Sequence, residues 1–303
     1  MFMADKGVAA SRSRRSWTAT IRDSVAFEDL RQTNIGPIQN MQIEAALTGK
    51  EFIHPEGIRQ FLDRLSYPIY FLDFETMQDA VPRYDGAKVY AQITFQYSLH
   101  IKQNETAAYE HREFLASSDG SDPRRALAEQ LCKDIPKDVC TLAYNKMFEC
   151  GRIRELAALY PDLSDHLLNI ADNIKDLIDP FRAGDYYVPA MGGSFSIKSV
   201  LPALFPDDPE LDYHNLDERC QNGGDAMTIF PHLQQMEQSL PKQGVQNQDG
   251  LLVMADTLMP LSEQIRIREE IAASRMALLD YCKLDTWAMV KVWEKMKEVA
   301  GII

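Results

Sequence analysis

The pattern of hydrophobic and polar residues changes character at Tyr67, and the next segment predicts a buried strand. Residues 68–75, PIYFLDFE, are an aromatic and β-branched run after a proline, which is typical of a strand enclosed on both faces. Two more strands are predicted at 91–101 and 108–114, with turn residues between the first two. Together the three segments predict an antiparallel set.

Helical and strand patterns alternate after this set. A helix is predicted from Asp122-Pro123 to about Asp134, with its proline at an early helical position. A short apolar strand is predicted at 138–144, and a second helix runs from Met147 to about Tyr160, just before a proline. This order predicts an α/β fold in which helices cover a mixed sheet.

The second half of the chain is mostly helical in pattern. The apolar residues of 167–178 have helical spacing, which predicts a helix there. The segment 194–204 resembles a capped helix with an internal proline. A further helix is predicted to begin near Asp225, and 242–250 is a polar loop or insertion. Residues 263–299 predict a long amphipathic helix with room for one break.

Three parts of the chain are expected from these patterns. Residues 1–20 are polar and rich in small residues, which predicts a disordered tail. Residues 21–66 have short helical patterns and predict a small helical preface. Residues 67–303 are expected to form the main domain.

Composition and charge narrow the class of protein. The chain has 303 residues, 45% hydrophobic and 25% charged, an ordinary globular composition. It has neither a signal-peptide pattern nor an apolar run that could cross a membrane, so a cytoplasmic location and no membrane partner are expected. The net charge of −13 argues against an extensive basic surface. Three arginine pairs, interpreted as solvated helix faces, are Arg124 with Arg125, Arg152 with Arg154, and Arg266 with Arg268.

The five cysteines give no evidence for a disulfide framework or a zinc knuckle. Their number is odd, and no two are spaced as Cys-x-x-Cys. We expect buried free thiols in a reducing compartment.

Two carboxylates in the first strand are the first chemical signal. Residues two apart in a strand point to the same face, so Asp73 and Glu75 are expected on one face and Phe74 on the other. Like charges among apolar side chains are costly unless a cation neutralises them, and Mg²⁺ and Mn²⁺ prefer oxygen ligands. The alternative is a solvent-facing acidic pair at the end of a strand.

Two further motifs carry acids. Asn145 and Glu149 lie where a predicted strand passes into a helix, a common position for sites in α/β folds. Tyr281 and Asp285 are four residues apart in the last helix and therefore share a face. The alternatives are a glutamate that stabilises its helix N-terminus and a solvent-facing helical pair.

In this order, the three motifs resemble the tyrosine subgroup of the DEDD superfamily of 3′-to-5′ exonucleases, which has a ribonuclease-H-like fold. The histidine subgroup has its histidine five residues before the last aspartate, and this chain has Asp280 there. The chain also resembles an uncharacterised bacterial family in four stretches, at 71–76, 95–100, 194–202 and 281–286.

Members of that bacterial family carry the module at the C-terminal end of a longer protein. Their upstream part is often a separate nuclease-like region. The resemblance covers roughly residues 60–300, and we expect this chain to be a short form or a truncated gene product without that region.

The resemblance implies a two-metal phosphodiester hydrolase. Asp73, Glu75, Glu149 and Asp285 would hold two Mg²⁺ or Mn²⁺ ions, and Tyr281 would position the attacking water. The substrate would be a single-stranded end of DNA or RNA.

One position departs from the superfamily pattern, which has an aspartate where this chain has Glu149. The longer side chain implies an adapted or a weakened site. Asp176 and Asp179 are possible compensating acids, although helix capping is the preferred interpretation for both.

Substrate contacts are expected from Asn145 and from Lys198. Lys198 lies beside a predicted helix start that suits phosphate binding, and the alternative is an exposed helical lysine. Two other functions stay open: a catalytically silent nucleic-acid-binding or scaffold module of the same fold, and an endonuclease or resolvase that lacks the tyrosine.

Overall fold

The computed structural model describes residues 35–241, 245–246, 252–253 and 259–302. The tail predicted for 1–20 and the first part of the preface predicted for 21–66 lie outside the described residues, as does most of the loop predicted for 242–250. Residues 245–246 and 252–253 form a small two-stranded ribbon.

Seven strands precede that ribbon. In chain order they are β1 (Phe52–Ile53), β2 (Ile69–Met77), β3 (Ile93–Lys102), β4 (Tyr109–Leu115), β5 (Cys140–Ala143), β6 (Ile174–Asp176) and β7 (Tyr186–Tyr187).

Nine α-helices are described. They are α1 (Pro37–Thr48), α2 (Pro55–Leu62), α3 (Arg124–Asp134), α4 (Met147–Leu159), α5 (Ser164–Asn173), α6 (Asp179–Ala183), α7 (Ile197–Leu204), α8 (Gly223–Ser239) and α9 (Leu261–Val299). Among the helices of the described residues, none has both the length and the apolar character needed to cross a bilayer.

A five-stranded mixed sheet with the order β4-β3-β2-β5-β6 forms the centre of this α/β fold. β2, β3 and β4 are antiparallel neighbours, as predicted, whereas β5 and β6 run parallel to β2. Since β2 is the middle strand, both of its edges are paired and its residues are enclosed. The register shifts by a bulge between Glu75 and Thr76, close to the end of the strand.

Helices cover both faces of the sheet. Alternate residues of β2 enter different cores: Phe71 packs with residues of α2, α7 and α9, whereas Leu72 and Phe74 pack with residues of α3, α4 and α5. This two-sided burial explains why the sequence of β2 is a nearly continuous hydrophobic run. α9 lies across β2 and β3 and contributes a long row of buried side chains.

The helix predicted at 167–178 is wrong in its second half. α5 ends at Asn173, and the chain then forms β6, which pairs with β5 through Thr141 and Ile174. Helical spacing favours a longer helix, but pairing with the open edge of β5 satisfies the backbone hydrogen bonds and overrides that local preference.

Other predicted elements are confirmed with small changes in their bounds. α9 runs from Leu261 to Val299 as one continuous helix, so the single break that the sequence pattern allowed is not present. The part of the preface that is described contains α1 and α2, and also β1, which pairs with β7.

Four of the cysteines are buried, Cys132 is partly buried, and all five are free thiols.

Candidate active site

Asp73 and Glu75 lie in the second half of β2 and line one cavity, as the strand periodicity predicts. Glu75 is buried, with 7% of its surface exposed, and Asp73 is half-buried. The ring of Phe74 packs in the opposite core, edge-on to Tyr97 at a centroid distance of 6.2 Å. The pair is therefore not the solvent-facing acidic pair of the alternative interpretation.

α9 brings Tyr281 and Asp285 to the same cavity. They are one turn apart, and their surfaces are 3% and 8% exposed. Contacts with β3 fix the helix against the sheet: the side-chain amide of Gln96 donates to the carbonyl of Leu278 at 2.7 Å. Both side chains are thus on the buried face of α9 rather than in solvent.

The hydroxyls of Ser98 and Thr286 are also 2.7 Å apart, so a second polar contact joins β3 to α9. Thr286 directly follows Asp285 in the chain. A side-chain contact therefore anchors α9 to β3 next to Asp285.

Glu149 is in the first turn of α4 and is 2% exposed. It does not line the cavity, but its charge acts on Asp73 and Glu75. Its Oε2 atom has no hydrogen-bond partner among the residues that the structure describes. A buried carboxylate oxygen without a donor is costly, so this atom calls for a proton or a cation.

Asp176 at the end of β6 holds the start of α4. Its carboxylate accepts hydrogen bonds from the backbone N–H groups of Asn145 and Lys146, at 2.8 and 3.1 Å. This is the capping role expected for Asp176, and it leaves Glu149 as the acid that α4 contributes. Asp179 is exposed at the first residue of α6 and lies 3.9 Å from Arg64.

The cavity has a volume of about 310 Å³. Its wall includes Gly223, the first residue of α8, where an added Cβ would lie 3.7 Å from the hydroxyl oxygen of Tyr281 and 4.0 Å from Oε2 of Glu75. A glycine therefore keeps this wall open beside the carboxylates.

Lys198 is in the first turn of α7, near a helix start as predicted, and it lies beside the carboxylates. Its expected contact with substrate stays a prediction. Its Nζ donates to the hydroxyl of Tyr281 at 3.1 Å and lies 5.2 Å from the ring centroids of both Tyr213 and Tyr281. Among the described residues that line the cavity, it is the only cation. Its charge acts to lower the pKa values of Asp73, Glu75 and Asp285.

Tyr213 is a site residue that the sequence did not indicate. Its hydroxyl donates to Oδ1 of Asp285 at 2.5 Å, and its ring lies 6.0 Å from the ring of Tyr281. Tyr213 lies in a short 3₁₀ turn between α7 and α8, where no periodicity marks it. The contact spans 72 positions in the chain, so local spacing carries no signal for it.

Burial and mutual repulsion raise the pKa values of the clustered carboxyl groups. For Asp73 and Glu75, desolvation is the largest cause and the charge of Asp285 is the next. Desolvation also raises the pKa of Asp285, against the hydrogen bond from Tyr213. The pKa of Glu149 rises to about 8, chiefly through desolvation. Without a cation, burial and repulsion therefore favour the neutral, protonated forms of these acids.

Cys282 is a further group that the sequence analysis did not assign to the site. Its Sγ can lie with oxygens of Asp73 and Glu75 in a cluster whose atoms are all within 4.8 Å of one another. Burial and the charge of Asp73 raise the pKa of this thiol well above its ordinary value. It therefore stays a thiol, 3.9 Å from Oδ2 of Asp73, and supplies a weak donor.

The donor set fits a hard divalent cation. Asp73, Glu75 and Asp285 present carboxylate oxygens to the cavity, and Glu149 adds a buried oxygen that lacks a donor. Oxygen-rich sets of this kind suit Mg²⁺ and Mn²⁺. Asn145, by contrast, does not line the cavity, and its side-chain oxygen accepts from Arg182 at 3.0 Å. Its expected contact with substrate stays a prediction.

Comparison with known proteins finds a described family whose model is similar to part of this chain. Residues 70–196 match the model of a domain of unknown function, DUF2779. This segment includes β2, β5 and the first turn of α4, and therefore Asp73, Glu75 and Glu149. Tyr281 and Asp285 lie beyond it.

Two curated relatives are uncharacterised proteins. One, from Ureaplasma parvum serovar 3, is 26% identical over 185 residues, which cover 56% of this chain and 25% of that protein. The other, from Mycoplasma genitalium, is 24% identical over 202 residues, which cover 62% of this chain and 30% of that protein. The chain thus matches about a quarter to a third of the length of these relatives. No solved structure is significantly similar to it.

Proposed function

We propose that this chain is a divalent-metal-dependent 3′-to-5′ exonuclease that hydrolyses phosphodiester bonds at nucleic-acid ends. The observation that carries the proposal is the convergence of Asp73, Glu75, Glu149 and Asp285 from three separate elements, next to Tyr281. Four acids that repel one another in a buried position destabilise a fold unless protons or a bound cation offset their charge. The arrangement therefore supports a metal-binding role.

We also propose that the fold is ribonuclease-H-like. Three antiparallel strands followed by two parallel strands, with helices on both faces, support this assignment. Glu75 lies towards the carboxyl end of β2, and Glu149 follows the carboxyl end of β5, the usual place for a site in a sheet with parallel strands.

The chain's own groups have distinct roles in this proposal. Asp73, Glu75 and Asp285 would hold Mg²⁺ or Mn²⁺ in the cavity, and the buried Glu149 would complete the charge around it. Bound ions would supply the positive charge that stabilises the phosphoryl-transfer transition state. Tyr281 has a raised pKa and stays a neutral phenol, so its hydroxyl can orient a water molecule.

Tyr213 and Lys198 organise this site from its rim. The hydrogen bond from Tyr213 fixes one oxygen of Asp285, whose side chain lines the cavity. Lys198 positions the hydroxyl of Tyr281 and can contact a phosphate oxygen of the substrate.

A silent nucleic-acid-binding or scaffold module is the second candidate, and Lys198 is the observation that favours it. An ammonium group among carboxylates offsets part of their charge without a metal. Only turnover separates the two functions, because metal-dependent thermal stabilisation fits both.

The proposal is tested on linear and covalently closed single-stranded oligonucleotides of one sequence, in parallel. An exonuclease shortens the linear strand in the presence of Mn²⁺ or Mg²⁺ and leaves the circle intact. Cleavage of the circle would establish an endonuclease instead, and an intact linear strand under every metal would favour the silent module.

A further inference from the structure

A second cavity of about 210 Å³ lies beside the catalytic cavity. Gln92 lines both. The second cavity is lined by three basic residues, Lys88, Arg124 and Arg152, and by one acid, Glu155. In a chain with a net charge of −13, a cationic cavity next to an active site is unusual and attracts anions.

Arg152 is the residue that joins the two cavities. Its guanidinium lies 5.3 Å from the ring centroid of Phe148, which lines the catalytic cavity. One amino group donates to the side-chain oxygen of Gln92, and the other donates to Glu155 at 2.7 Å. Its Nε is buried and has no partner among the described residues. This buried N–H is an unsatisfied donor.

Arg152 and Arg154 have different environments, although the sequence predicts that both lie on a solvated helix face. The side chain of Arg152 is 13% exposed, whereas that of Arg154 is 51% exposed and lies 3.7 Å from Asp172. Both are on α4, two residues apart, so they point in different directions around the helix. Arg154 is therefore a matched control for Arg152.

Another neighbouring cavity has the reverse charge. This cavity of about 690 Å³ shares Lys198 with the catalytic cavity and is lined by Asp207, Asp208 and Asp212. Repulsion from three acids disfavours a chain of phosphates on that side. Of the two neighbouring cavities, only the one that Arg152 lines suits a polyanion.

Single-strand recognition needs apolar groups as well as charge. Val89 and Tyr90 follow Lys88 in the chain and are 60% and 62% exposed. Exposed aromatic rings beside a basic groove are a common platform on which bases stack. Both arginines of the cavity bind an acid, since Arg124 donates to Asp122 at 2.9 Å and Arg152 donates to Glu155 at 2.7 Å, so part of their charge is offset.

We propose that the cavity lined by Lys88 and Arg152 binds a backbone phosphate of the substrate strand adjacent to the scissile one. The single strand then leaves the catalytic cavity past Gln92 and away from the acidic cavity. This inference rests on the proposed function, which places the scissile phosphate beside Asp73 and Asp285.

The test measures binding of a fluorescent single-stranded oligonucleotide by anisotropy over a range of salt concentrations. All variants carry Asp73→Ala, so that turnover does not consume the probe. Arg152→Ala is expected to weaken binding by about three- to tenfold, and the slope of log affinity against log salt falls by about 0.7 for one lost phosphate contact. Arg154→Ala leaves both unchanged, and Arg152→Lys restores part of the affinity.

Lys88→Ala provides an independent variant, because Lys88 is exposed and its loss leaves the core intact. It is expected to weaken binding in the same direction as Arg152→Ala. Affinities and salt slopes that are equal for Arg152→Ala, Lys88→Ala and Arg154→Ala would overturn the phosphate site. If Arg152→Ala weakens binding but the protein with Asp73 intact hydrolyses no strand, the phosphate site is supported and the proposed exonuclease is refuted.

Discussion

The hydroxyl of Tyr213 donates a 2.5 Å hydrogen bond to Oδ1 of Asp285, the last acid of the carboxylate cluster. Burial and the charge of Asp285 raise the pKa of Tyr213 well above its ordinary value, so the phenol stays neutral and donates across the physiological range. The bond holds Asp285 in one rotamer at the cavity wall. Tyr213 is therefore a positioning residue for the proposed metal site.

Replacing Tyr213 by phenylalanine tests this role. Tyr213→Phe keeps the ring and removes the donor, which frees the carboxylate of Asp285 and also leaves its oxygen without a partner. We expect kcat to fall by about tenfold and Mn²⁺ affinity to decrease, with a loss of about 1 kcal/mol in the free energy of unfolding. Single-turnover kinetics and titration with Mn²⁺ measure the first two effects.

Tyr109→Phe is the matched control for that variant. The hydroxyl of Tyr109 donates to Glu294 at 2.9 Å, so the control also removes a tyrosine–carboxylate bond, but outside the cavity. It should lower stability by a similar amount and leave kcat and Mn²⁺ affinity unchanged. Equal activity of the two variants would contradict a positioning role for Tyr213.

Lys198 and a metal ion compete for the same carboxylates, and Lys198→Met should reveal this competition. The substitution keeps the length of the side chain and removes its charge. Mn²⁺ should then bind about tenfold more tightly, equal to about 1.4 kcal/mol, while kcat falls because the hydroxyl of Tyr281 loses its donor. Isothermal titration and steady-state kinetics measure the two effects.

Lys291→Met controls for the general loss of a positive charge. Lys291 is on α9 and lies 3.5 Å from Glu294, and it does not line the catalytic cavity. Its variant should bind Mn²⁺ as the parent does. Weaker Mn²⁺ binding in Lys198→Met would show instead that Lys198 supports the metal site.

The stability of the metal-free protein should fall as the pH rises from 5 to 8. The pKa of Glu149 is raised from an ordinary 4.5 to about 8, so the folded state keeps a proton that the unfolded state releases. Its contribution is fully present below about pH 4.5 and is lost as the pH rises through about 8. Urea unfolding at several pH values, in the presence of EDTA, measures this trend.

Glu149→Gln should make that pH dependence shallower, because it removes one of the titrating groups. Glu155→Gln on the same helix is the control, since the side chain of Glu155 is 57% exposed and its variant should keep the parental slope. Added Mn²⁺ should stabilise the parent more at pH 8 than at pH 5. A metal-free stability that is constant or rises with pH would refute this electrostatic account.

The sequence predicted those parts of the site that depend on local periodicity. Strand alternation placed Asp73 and Glu75 on one face, and helical spacing placed Tyr281 beside Asp285. The change from a strand pattern to a helix pattern near residue 145 placed Glu149 in the first turn of a helix. Periods of two and of about four residues are set by backbone geometry, so they can be recognised without tertiary information.

The contacts that the sequence did not predict join distant segments. Tyr213 reaches Asp285 from an irregular connection, and β6 forms only because the edge of β5 is available to pair with it. The different environments of Arg152 and Arg154 also depend on the cavity beside α4. These features follow from packing between elements, for which one sequence contains no local signal.

The central claim is tested most directly by incubating an end-labelled single-stranded oligonucleotide, as DNA and as RNA, with the protein and Mn²⁺, Mg²⁺ or EDTA. Asp73→Ala runs in parallel as the control for a contaminating nuclease. The account predicts a ladder of products shortened from the 3′ end, which depends on metal and is absent with Asp73→Ala. Intact oligonucleotide under every metal, with binding retained, would contradict it.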